Sequence, residues 1–158
     1  MAYWLLKSEP VKYSWDQMRR DGRTFWDGVR NHQAAGNLRA MRIGEQAFFY
    51  HSNVGKEIVG IVEIIREFYP DPADPFTKFG NVDVRPLASL ARPVTLTAIK
   101  ADPLLAGMAL VRQSRLSVCP VGEAEWRAIC DLGGVAAGAP SAFAGCEAWV
   151  SAPLRRDF

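Results

Sequence analysis

The run from Glu57 to Tyr69 constrains this chain more than any other segment, because β-branched and aliphatic residues dominate it while its periodicity changes along its length. Ile58 to Val62 is apolar on both faces; beyond it, Ile64 and Phe68 alternate with Glu63 and Glu67. Such a strand passes from a closed interior, where both faces are covered, toward an edge where one face meets water. Upstream, Gln46 to His51 is also strand-like, and Ser52-Asn53-Val54-Gly55 supplies the turn residues of a hairpin. Downstream, Pro70-Asp71-Pro72-Ala73-Asp74-Pro75 sets three prolines among turn formers and reads as a loop. A further strand pair is expected across Val82 to Val94.

The remaining elements are short. Tyr3 to Ser8 reads as a first strand closed by Glu9-Pro10. Ser14-Trp15-Asp16-Gln17 has the form of a capping box, with Gly22 stopping the helix it opens. Asn31 can cap a second helix in which Ala34, Leu38 and Met41 share a face and Gly44 marks the end. Thr95 to Ala101 and Asp102 to Leu105 look like helical turns, Leu116 to Val121 like a strand, and Glu123 to Leu132 like a helix stopped by Gly133-Gly134. Residues 133 to 145 are a Gly/Ala/Pro/Ser linker, after which Trp149, Val150 and Phe158 could dock the end back on the domain. Short strands interspersed with single helices predict an α+β fold, a small mixed barrel rather than a doubly wound parallel sheet.

Composition removes several function classes. No apolar run approaches the ~20 residues that span a bilayer, and strand-like Tyr3 to Leu6 leaves no room for a signal peptide, so a cytoplasmic protein is expected. Cys119, Cys130 and Cys146 form no close pair and read as reduced thiols. A net charge of +2 is too mild to argue nucleic-acid binding by itself. Fourteen of the 19 basic residues are arginine, which suits phosphates and base edges but equally follows from a GC-rich coding sequence. Serine-hydrolase, phosphate-loop and zinc-site motifs are missing from the sequence, which gives no sign of a metal or other cofactor.

Polar groups embedded in aromatic or apolar segments are the informative feature. Lys7-Ser8-Glu9 follows Trp4, Arg30-Asn31 follows Trp26, Tyr50-His51-Ser52-Asn53 follows Phe48-Phe49, and Arg112-Gln113-Ser114-Arg115 follows Leu110-Val111. At strand ends such groups can converge at one barrel mouth, where an aromatic face and directional hydrogen bonds suit a planar ligand. From composition alone Trp26 reads as a core aromatic, Arg112 and Arg115 as solvated or salt-bridged, and His51 as either a satisfied strand histidine or a pocket group.

Five segments in order, Tyr3 to Pro10, Trp26 to Asn31, Phe49 to Asn53, Tyr69 to Pro72 and Arg112 to Val118, resemble the successive signatures of EVE-domain proteins. The resemblance runs from about residue 3 to residue 132 and implies a PUA-like β-barrel with covering short helices, related to the YTH domains that read methylated adenine in RNA. The domain would span 1–134, with 135–158 a Gly/Ala/Pro-rich extension. The resemblance also implies a pocket for a modified nucleobase: cytosine modified at carbon 5 in DNA, or a modified base in RNA. In it Trp26 would be the stacking platform and Lys7, Ser8 and Glu9 the floor. Arg30 and Asn31 would flank the mouth, opposite Tyr50, His51, Ser52 and Asn53. Arg112, Gln113, Ser114 and Arg115 would contact phosphate or complete the wall. The expected protein is a monomeric, non-enzymatic reader of DNA or RNA. The alternatives are an enzyme on nucleotides or nucleosides with His51 or Glu9 as acid/base, and a protein-interaction module.

Overall fold

The computed structural model describes residues 2–72 and 79–135. Cys146, the expected docking of Trp149, Val150 and Phe158, most of the linker and the end of the proline loop lie outside them. Among the described residues six strands form one mixed sheet: β1 (Tyr3–Ser8), β2 (Thr24–Trp26), β3 (Gln46–His51), β4 (Glu57–Pro70), β5 (Gly80–Thr95) and β6 (Val118–Val121), in the order β2-β5-β4-β3-β1-β6. Only β1 and β3 run parallel; every other neighbour is antiparallel. This is an α+β, PUA-like fold.

The segment expected to be a strand pair across Val82 to Val94 is one long strand, β5. It remains continuous because its ladder with β4 absorbs four register shifts, the last between Arg66 and Tyr69. Each shift bends the hairpin and re-aims side chains, which erases the simple alternation a sequence reading depends on. Gly60 lies within this bend, where a Cβ would overlap the indole of Trp15. Only glycine lets the helix carrying Trp15 come so close to β4.

The helices are α1 (Trp15–Asp21), α2 (His32–Ala40), α3 (Leu96–Ala101), α4 (Ala109–Arg112) and α5 (Glu123–Gly133). Ser14 Oγ accepts from Gln17 N at 3.1 Å and Asn31 Oδ1 from Ala34 N at 2.9 Å, so both expected caps form. The Gln17 amide is engaged with Asp21 and Arg20. α2 ends at Ala40 rather than at Gly44, whose positive φ serves the turn into β3. Asp102 to Ala106 makes the single helical turn expected, Leu105 N and Ala106 N both donating to Asp102 O.

Phe48 is fully buried and stacks on Trp126 of α5, whose other neighbour is Tyr3, at centroid distances of 3.9 and 4.4 Å. Leu5, Leu6, Phe49, Ile58 and Ile64 complete a continuous core, each stabilising by roughly 1.5–3 kcal/mol relative to exposure. Cys119 and Cys130 are buried free thiols, both pushed up by burial, Cys130 to about 11. Among the described residues no helix is long and apolar enough to cross a membrane. Because α2 packs against β4, β5 and β6, and Asn37 donates to Val118 O at 2.7 Å, the sheet curls until its two ends approach.

Candidate functional site

The curl leaves a cleft of about 620 Å³ where the two ends of the sheet meet. β6 stops pairing with β1 at Leu6, after which only Lys7 N reaches Ser117 O, at 3.0 Å. The last residues of β1 therefore extend beyond β6 on that edge, while their other edge stays paired with Tyr50 and His51 of β3. The cleft is lined by Lys7, Ser8 and Glu9 from the end of β1 and by Phe25, Trp26, Asp27 and Gly28 from the end of β2. Ser52 and Asn53, and Ser114, Arg115 and Ser117, complete the lining. Pro10 turns the chain back, Glu9 O accepting from Lys12 N and Tyr13 N, so Lys12 and Tyr13 also line the cleft.

The polar groups of this cleft are held in place yet keep bonding capacity. Ser8 Oγ donates to Tyr13 O at 2.6 Å, which uses its proton and leaves oxygen lone pairs to accept. Lys7 Nζ donates to Ser114 O at 2.8 Å, with two further protons available. Burial lowers the Lys7 pKa, while the neighbouring Cys119 pulls it the other way. Trp26, 8% exposed, meets Phe49 and Tyr13 edge-on at 5.6 and 6.4 Å. It is thus a packed core aromatic with one portion facing the cleft, not a free-standing platform.

Eight of the residues nominated from sequence meet here: Lys7, Ser8, Glu9, Trp26, Ser52, Asn53, Ser114 and Arg115. Asn31, Arg112 and Gln113 line an adjoining hollow of about 380 Å³ that shares Ser114 and Arg115 with the first. There Asn31 caps α2 and Arg112 Nε donates to Gly107 O at 2.6 Å. Arg30 points elsewhere, donating to Asp71 at 2.9 Å and lying 5.5 Å from the Phe79 ring. Tyr50 is buried outside the lining, with its pKa raised by that burial. His51 Nε2 accepts from Trp15 N at 3.0 Å, so the ring is neutral and completes the first turn of α1. Burial lowers its pKa, opposed by Glu57 and Asp16.

Sequence reasoning did not nominate Lys12, Tyr13, Phe25, Asp27, Gly28 or Ser117. The Pro10 turn was the available signal for Lys12 and Tyr13, and adjacency to Trp26 for the β2 residues.

The family profile of the EVE domain matches residues 2–132. Thymocyte nuclear protein 1 of Gallus gallus is 38% identical over 165 residues, covering 83% of this chain and 68% of that protein. The solved structure of Rpa0253 from Rhodopseudomonas palustris superposes with a TM-score of 0.81 at 57% identity, covering 85% of this chain and 94% of that one. Human THYN1, solved in complex with DNA containing 5-methylcytosine, gives 0.78 at 33% identity and covers 84% of this chain and 98% of that one. The YTH domain of Zygosaccharomyces rouxii MRB1, solved with N6-methyladenosine RNA, shares the fold at 18% identity, with a TM-score of 0.53 and 85% of each chain covered.

Proposed function

The chain belongs to the EVE-domain family, and from that premise we propose that it is a non-enzymatic module that reads a modified nucleobase, 5-modified cytosine in DNA or a modified base in RNA, within the cleft between β1 and β2. The observation that carries this reading is the pairing of Trp26 with the accepting Ser8 hydroxyl and the donating Lys7 ammonium in one cleft. The volume lies in the range of small-ligand sites. The binding of 5-methylcytosine DNA by human THYN1 supports the same substrate class. The adjoining hollow with Arg112 and Gln113 would take the backbone next to the read base. The module acts as a monomer in the cytoplasm.

Magnitudes set the expected selectivity. Stacking contributes roughly 1–3 kcal/mol, and one buried methyl group only about 0.8 kcal/mol. Preference for a methylated base is therefore modest, and larger where the modification carries its own hydrogen-bonding group. Turnover is the weaker reading: His51 is committed to Trp15 N, and Glu9, although in the cleft, is ion-paired with Lys12 at 3.3 Å. The test is anisotropy titration with single-stranded DNA and RNA, each carrying one modified or unmodified base, followed by mass spectrometry of the oligonucleotides. Selective binding with unchanged nucleosides supports the reader. Equal affinity for all oligonucleotides, or a converted nucleoside, overturns it.

A further inference from the structure

Five large apolar side chains are strongly exposed among the described residues, and two of them, Val11 at 81% and Val54 at 61%, stand on the two loops that frame the cleft. Val11 directly precedes Lys12 and Tyr13, and Val54 directly follows Ser52 and Asn53, all of which line it. Single exposed valines are ordinary. These two are distinguished by position and by how firmly their backbones are held.

The Val54 turn contains three left-handed residues, Asn53, Gly55 and Lys56, with φ of 65°, 91° and 50°. Ser52 N donates to Ser8 O at 2.9 Å and Leu96 N to Lys56 O at 2.9 Å, fixing the turn to the end of β1 and to α3. On the other loop, Lys12 N and Tyr13 N share Glu9 O, and Ser8 Oγ bonds Tyr13 O. Ser8 thus ties both loops to the end of β1. The cation Lys12, its side chain 77% exposed, stands beside Val11.

We infer that Val11 and Val54 are an apolar wedge pair, and that the ligand is a duplex from which the base is extruded into the cleft. This inference rests on the base-reading proposal. Drawing a base out of a duplex leaves a gap in the stack, and an apolar side chain on a rigid loop can fill it without carrying polar groups that would lose their water. Lys12 is then placed to meet a phosphate of the opened strand.

The test compares wild type, Val11→Ser, Val54→Ser and the double variant on a DNA duplex with one 5-methylcytosine and on the methylated strand alone. A 2-aminopurine beside the target base reports unstacking. Each substitution should raise the duplex Kd about tenfold, the cost of leaving one valine-sized gap unfilled. Single-strand affinity and thermal stability should stay unchanged, and the fluorescence rise on duplex binding should disappear in the double variant. Single-strand binding without duplex binding in wild type, or equal weakening on both ligands, overturns the wedge alone. Failure of wild type to bind either methylated ligand removes the base-reading proposal and the wedge with it.

Discussion

The two ends of β1 both gather polar groups, and they do opposite things with them. At the start of the strand the Glu45 carboxylate, 8% exposed, accepts from Ala2 N, Trp4 Nε1 and Arg42 N at 2.9, 3.0 and 2.9 Å. Burial alone would raise its pKa, but these hydrogen bonds outweigh that and hold the carboxyl below its ordinary range. The cluster is closed on itself. At the far end Lys7 and Ser8 are anchored by one bond each to a backbone carbonyl and retain protons or lone pairs facing the cleft. A polar group at a strand end is therefore a candidate for binding only when bonding capacity is left over after the fold is satisfied.

Breaking the closed end gives the largest effect. Glu45→Leu strands three donors and should cost roughly 3–5 kcal/mol of stability, read as a lower denaturant midpoint, while oligonucleotide affinity of the folded fraction is unchanged. A loss of affinity matching the loss of stability would show that the two ends are coupled. Trp26→Ala tests the border between core and cleft. Large-aromatic truncation should cost about 3 kcal/mol of stability and also abolish base selectivity, both measured on the same preparation. Selectivity surviving in the folded fraction would place the stacking face elsewhere.

Ser8 sharpens the contrast from the open end. Ser8→Ala should lose about 0.5–1.5 kcal/mol of affinity, with a stability loss of similar size because Tyr13 O loses its donor. Ser8→Val should block base access altogether, so titration of the two variants separates a missing hydrogen bond from a filled space. Equal affinities for wild type and both variants would remove Ser8 from the site.

The smallest expected effect belongs to His51. Its folded pKa lies below the ordinary 6.5, so the unfolded chain binds the extra proton first. The stability it contributes is complete above 6.5 and declines as pH falls through that value toward the folded pKa, where Nε2 can no longer accept from Trp15 N. His51→Gln keeps an acceptor that does not titrate. Its melting temperature should therefore fall less than that of wild type between pH 7 and pH 5.5, with no change in binding at pH 7.5.

Elements that announce themselves locally were legible in the sequence. Ser14 and Asn31 cap helices through bonds to residues three positions away, and the 52–55 turn joins strands adjacent in sequence. Long-range elements were not. β2 is three residues long and exists because Thr24 to Trp26 pair with Val82 to Val84, which no periodicity within 24–26 could reveal. The same distinction runs through the site. Lys7, Ser8 and Glu9 reach the cleft because a strand simply ends there. Arg30 and His51 are captured by Asp71 and by Trp15 N, and those partners are set by tertiary geometry.

The parallel pairing of β1 with β3 has a consequence for the order of assembly. The first strand made has no neighbour until residues 46–51 exist, and its other edge waits for residues 118–121. On a ribosome, β4 and β5 can close their hairpin while β1 is still half-paired, and residues 114–117, which line the cleft, are made only after that hairpin. The candidate cleft is thus complete only after the β4–β5 hairpin has formed. A nascent chain stalled before residue 114 would hold Lys7, Ser8, Trp26 and Asn53 but lack Ser114, Arg115 and Ser117, so the cleft lacks part of its lining until the last strand is in place.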